Sequence, residues 1–80
     1  MSETAGLRWR CRRGMKEIDL LLLAWLDQEW PGADAGQRQA FEAMLELPDP
    51  ELLAYLLGRE RPTDGGIADV VAQIRRLPLA

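Results

Sequence analysis

Arg8, Arg10, Arg12, Arg13 and Lys16 stand within nine residues with no acid among them, and Glu17 and Asp19 follow directly. Cationic side chains at this density bind anions, donating charge-assisted hydrogen bonds to carboxylate or phosphate groups. The residues between them, Leu7, Trp9 and Cys11, give the same segment apolar surface to pack with. Residues 8–16 hold five of the chain's ten cations, so the remainder sets five cations against 13 acids, and the whole carries a net charge of −3. A chain of that sign is no general nucleic-acid binder, but its cationic end is equipped to meet an anionic partner.

Catalytic chemistry is poorly provided for. There is one Cys and no His, so the chain forms no intrachain disulfide, no Cys/His zinc site and no Cys/His or Ser/His nucleophile pair. Arginines flank Cys11 and would favour its thiolate, yet a lone cysteine beside apolar neighbours reads first as a small packed residue. No Gly-rich loop joins a strand to a helix, which removes the usual apparatus for holding a dinucleotide. The residues point to binding, not to an enzyme or a metal protein, and to a reducing compartment.

The apolar run over residues 20–26, placed after arginines, imitates a secretory signal. Glu17 and Asp19 interrupt the basic region, however, and Asp27-Gln28-Glu29-Trp30-Pro31 stands where a small-residue cleavage site belongs. Seven apolar residues also fall far short of the ~20 that span a bilayer. The chain is therefore expected to be soluble, without membrane insertion. At 80 residues it makes one domain near the lower size limit for a self-sufficient core, and its 48% hydrophobic residues are too many for disorder.

Helical periodicity runs through the sequence and strand alternation does not. A short helix over about residues 3–13 leads to a second over 15–29, whose Ile18, Leu21, Leu22, Trp25 and Leu26 form one stripe, widened by Leu20 and Leu23. This is the expected central helix, ended by Pro31-Gly32. Asp34, with Gln37 three residues on, has capping-box spacing and opens a third helix with Ala40, Phe41, Met44, Leu45 and Leu47 inward. Asp49 is the expected N-cap of a fourth helix, with Pro50 first inside it and Glu51 at the positive end of its dipole. Leu52, Leu53, Leu56 and Leu57 face its core and Gly58 closes it. Asp64 caps a fifth helix carrying Ile67, Val70, Val71, Ile74 and Leu77, ended by Pro78. The expected architecture is all-α, a compact five-helix domain over residues 1–80.

The basic arm is ambiguous, since its alternation suits a strand as well as a helix, and Trp9 is as readily core as surface. Gly14 is more telling. Inside a helix it costs about 1 kcal/mol relative to alanine, so it marks a helix junction or a place where another backbone comes close. If the helix were continuous, Arg13 and Glu17 would stand one turn apart and could pair. If it breaks at Gly14, Glu17 falls in the first turn of the second helix, where the dipole favours it.

The run Trp9-Arg10-Cys11-Arg12-Arg13-Gly14-Met15-Lys16-Glu17-Ile18-Asp19, with its Arg-Gly-x-x-Glu core, is followed by a Leu-rich helix and by Leu45-Glu46-Leu47-Pro48-Asp49-Pro50-Glu51-Leu52. Together they resemble the SdhE family of succinate dehydrogenase flavinylation (assembly) factors over nearly the whole chain. The resemblance implies a small all-α chaperone-like protein that binds the flavoprotein subunit of succinate dehydrogenase, and in some bacteria of fumarate reductase. There it promotes covalent attachment of FAD, with no cofactor stably bound to itself and the FAD held by the partner. A monomer in the bacterial cytoplasm is expected separately, the location from a short chain without a transit-peptide pattern. Carried over by position, Arg13, Gly14 and Glu17 match the family's functional motif, and Arg8, Trp9, Arg10, Arg12 and Asp19 belong to the same partner-binding surface. On that view Gly14 lets two backbones approach, Arg13 hydrogen-bonds the partner, and Glu17 makes a charge-assisted contact or acts chemically near the flavin. Two other classes stay open: a nucleic-acid-binding or antitoxin-like regulatory protein using the arm, and a generic helical interaction module.

Overall fold

The computed structural model describes residues 4–77 and, within them, five α-helices with one 3₁₀ turn and no strand. Helix α1 spans Ala5–Arg10, α2 Lys16–Gln28, α3 Ala35–Leu45, α4 Asp49–Leu56 and α5 Gly65–Arg76, with the 3₁₀ turn Trp30–Gly32 between α2 and α3. The all-α reading stands, and α5 packs against α2, α3 and α4.

Capping explains most boundaries. Asp34 and Gln37 form the full capping box, with Asp34 Oδ1 accepting from the Gln37 N–H at 2.8 Å and Gln37 Oε1 accepting from the Asp34 N–H at 3.1 Å. Asp64 Oδ1 accepts from the Ile67 N–H at 2.9 Å and starts α5. After α4 the N–H of Gly58 donates to the Tyr55 carbonyl and that of Arg59 to the Ala54 carbonyl, a Schellman closure with Gly58 at φ +75°.

Two boundaries differ from expectation. Helix α1 stops at Arg10 with Cys11 as C-cap, so the chain breaks before Gly14, while Glu3 lies outside the described residues, as does Pro78 at the far end. Helix α4 begins one residue early, with Pro48 as N-cap, Asp49 first inside and Pro50 second. The Asp49 carboxylate receives Arg13 instead of capping backbone, yet with Glu51 it still places negative charge in the first turn.

The core is apolar throughout, with no buried polar residue among those described. Trp25 stacks on Phe41 at 4.4 Å between centroids, and Trp30 meets both rings edge-on. The Trp25 indole N–H donates to Gln73 Oε1 at 2.9 Å, which satisfies its polar atom. Ile18, Leu22, Trp25 and Leu26 of α2 are buried, as are Ala40, Phe41, Met44 and Leu45 of α3, Leu52 and Leu56 of α4, and Val70, Val71 and Ile74 of α5. Leu20 and Leu57, expected to extend apolar faces, are exposed.

Candidate functional site

The loop between α1 and α2 is built by two residues that grip it from inside. Asp19, one turn into α2, accepts the backbone N–H of Arg13 on Oδ1 at 2.9 Å and that of Gly14 on Oδ2 at 3.3 Å. The Arg13 side chain turns inward, largely buried. Its Nη1 donates to the Leu47 carbonyl at 3.1 Å and to Asp49 Oδ1 at 3.0 Å, its Nη2 to the Leu45 carbonyl, and its Nε to the Arg10 carbonyl at 3.2 Å. A guanidinium thus closes the C-terminal end of α3, where carbonyls lack helical partners and the dipole is negative. The same group ties this loop to the start of α4.

Gly14 and Glu17 are displayed on that support. Gly14 takes φ +82°, a conformation only glycine adopts readily. A Cβ built on it would meet nothing within 4 Å. The helix break places Glu17 in the first turn of α2, away from Arg13. It is exposed, with no ion pair or side-chain hydrogen bond among the described residues.

The remaining arm residues divide by helical geometry. Leu7 and Cys11 point inward and are buried, which directs Trp9 outward, where it is 71% exposed. The arm is helical and Trp9 is surface, which settles both open points. Arg12 lies over the Trp9 ring at 5.8 Å. On the flanks Arg8 pairs with Asp27 on α2, and Arg10 with Glu46 beyond α3 at 2.6 Å. With Arg13 on Asp49, three of the five arm cations are matched by the chain's own acids, leaving Arg12 and Lys16. The arm carries less net field than its sequence suggests.

The structure therefore gathers the eight expected site residues around one junction but separates their settings. Gly14, Glu17, Trp9 and Arg12 are exposed; Arg13 and Asp19 shape the loop; Arg8 and Arg10 pin α1 to its neighbours. Two residues escaped the sequence reading. Asp49 read as a helix cap, and nothing in the sequence announces its contact with Arg13, 36 residues away. Leu20, 51% exposed, stands one turn from both Lys16 and Glu17 and lies opposite the buried stripe of α2, a signal that was present in the spacing.

Cys11 is a core residue. Burial pushes its thiol up to about 11 against the opposing pull of Arg13 and Arg8, so it stays protonated and inert at neutral pH. Among the described residues no group of Cys, Asp or Glu side chains could hold a metal ion, and no helix is long and apolar enough to cross a membrane.

Fold and geometry together describe a small all-α protein whose first two helices meet at an exposed glycine of positive φ. The family model described as flavinator of succinate dehydrogenase matches residues 5–78, and the chain belongs to that family. It is 42% identical over 77 residues to an FAD assembly factor SdhE of Methylococcus capsulatus, covering 96% of this chain and 93% of that one. It is 40% identical over 73 residues to the FAD assembly factor SdhE of Legionella pneumophila, covering 91% of each. The corresponding protein of Xylella fastidiosa is 38% identical over 77 residues, 96% of this chain and 79% of that one.

Proposed function

We propose that this protein is an FAD assembly factor, a non-catalytic helper that docks on the flavoprotein subunit of succinate dehydrogenase and promotes covalent attachment of its FAD. The family and the names of the relatives support the flavin-assembly role. The docking reading is carried by one observation: Gly14, with positive φ and empty space where a side chain would stand, beside the unpartnered carboxylate of Glu17. A partner backbone approaches at Gly14, and one of its N–H or cationic donors meets Glu17. Trp9 and Leu20 supply exposed apolar area to the same contact, with Arg12 and Lys16 beside them. Arg13 and Asp19 act at one remove, fixing the loop before the partner arrives.

Catalysis on this view lies in the partner, which holds the flavin and the side chain that attacks it. The factor holds that flavoprotein in a conformation that aligns the two. It acts as a monomer in the bacterial cytoplasm, and the flavoprotein of fumarate reductase is a second client. A nucleic-acid role for the arm is disfavoured by its internal ion pairs, since only cations free to release counterions drive such binding.

The test is protein-bound flavin fluorescence in the succinate dehydrogenase band of a strain lacking this gene. The signal should fall, and should return with the wild-type protein but not with Gly14→Arg or Glu17→Ala. An unchanged signal in the deletion strain overturns the proposal.

A further inference from the structure

At the end of α4 remote from the Arg13–Asp49 contact, about 12 Å along that eight-residue helix, three guanidiniums gather on one cleft. The Schellman closure at Gly58 turns the chain so that Arg59 and Arg61 line the cleft, and α5 brings Arg75 from its last turn to the same place. Arg75 is seated over Gly58: a Cβ on that glycine would lie 2.6 Å from Nη2. The cleft is about 500 Å³, with Val71 and Pro62 among its apolar lining and Glu60 its one acid. Unlike Arg8, Arg10 and Arg13, none of these three arginines forms an ion pair among the described residues, in a chain whose acids outnumber its cations.

We infer that this cleft docks an acidic segment of a protein, with the guanidiniums of Arg59, Arg61 and Arg75 receiving its carboxylates and the aliphatic lining receiving its side-chain stems. Charge complementarity sets the sign: three cations against one carboxylate leave an excess that only an anion neutralises, and guanidinium forks match carboxylates in pairs. A nucleic acid fits less well. The net charge of −3 repels a long polyanion. Tyr55 is the one aromatic ring in the cleft's lining, partly buried with its hydroxyl donating to Glu51 Oε1 at 3.2 Å, so the cleft lacks the row of rings on which a single strand stacks successive bases. The site is independent of the Gly14 face and of the flavin reading.

The experiment is amide chemical-shift mapping on the full chain during titration with an end-blocked hexaglutamate peptide. Shifts should centre on residues 58–61 and 75, and affinity should fall with added salt. Replacing Arg59, Arg61 and Arg75 together by Gln should weaken binding about tenfold or more without moving the melting temperature, while Glu17→Ala leaves it unchanged. Absence of shifts, shifts confined to the α1–α2 loop, or a single-stranded oligonucleotide occupying the cleft more tightly than the peptide would overturn the inference. The wild-type map decides the matter even if the triple variant folds poorly.

Discussion

Arg13 reaches 36 residues along the chain to meet the Asp49 carboxylate at 3.0 Å, and in doing so it fastens the α1–α2 loop to the α3–α4 junction. The Leu45 and Leu47 carbonyls share the same guanidinium. Arg13, expected to hydrogen-bond a partner, has its guanidinium engaged by groups of its own chain and supports the loop that displays Gly14.

This support predicts a split between stability and docking. Arg13→Ala leaves carbonyls at the end of α3 and the Asp49 carboxylate without their donor, at a cost of about 2–3 kcal/mol. For a domain of this size that lowers the melting temperature by roughly 8 °C or more. Arg13→Lys keeps the charge but loses the fork, and should recover less than half of the loss. Urea denaturation of the three proteins checks this, and a wild-type midpoint for Arg13→Ala would refute it.

Gly14 should behave in the opposite way. Any side chain there is strained by φ +82°, about 1 kcal/mol, but none clashes within the protein, because the space beyond Cα is empty. Gly14→Ala and Gly14→Arg should therefore lose similar stability while differing sharply in docking. Affinity for the purified flavoprotein subunit, measured by calorimetry, should fall with side-chain size. Equal affinities for the two variants would mean that no backbone approaches there.

Glu17→Gln and Leu20→Asp should leave stability within about 0.5 kcal/mol, as expected of exposed residues without internal partners. In the flavinylation assay Glu17→Gln should reduce the rate of covalent flavin formation about tenfold, the value of one charge-assisted hydrogen bond. Leu20→Asp should weaken affinity for the flavoprotein through lost apolar contact. Melting curves alongside the assay separate these losses from unfolding.

The fold was legible because helical spacing and capping are local. Asp34 with Gln37, Gly58 and Asp64 announce their boundaries within four residues, and the stripe from Ile18 to Leu26 identifies the face that α2 buries. The Arg-Gly-x-x-Glu spacing likewise located the junction. The division of labour within it was not legible, because it depends on contacts between distant residues: Arg8 with Asp27, Arg10 with Glu46, and Arg13 with Asp49. Sequence shows a block of positive charge; only the fold shows which cations are already matched. The one-residue shift at Asp49 has the same origin, since a carboxylate able to cap its own helix was taken by Arg13.

Cys11 supplies a prediction at high pH. Its thiol ionises near 9.0 when unburied and at about 11 in the folded protein, because burial disfavours the thiolate. Between these values the unfolded chain gives up this proton while the folded chain keeps it, so stability must fall as pH rises. The contribution is intact below pH 9 and is lost progressively toward pH 11, reaching on the order of 2 kcal/mol. Cys11→Ala lacks the thiol, so its stability deficit relative to wild type should shrink across that window. Iodoacetamide should label Cys11 at pH 8 only as urea unfolds the protein. A deficit that is constant from pH 8 to pH 11, together with rapid labelling of the folded protein, would place the thiol at the surface and contradict its position beneath the arm.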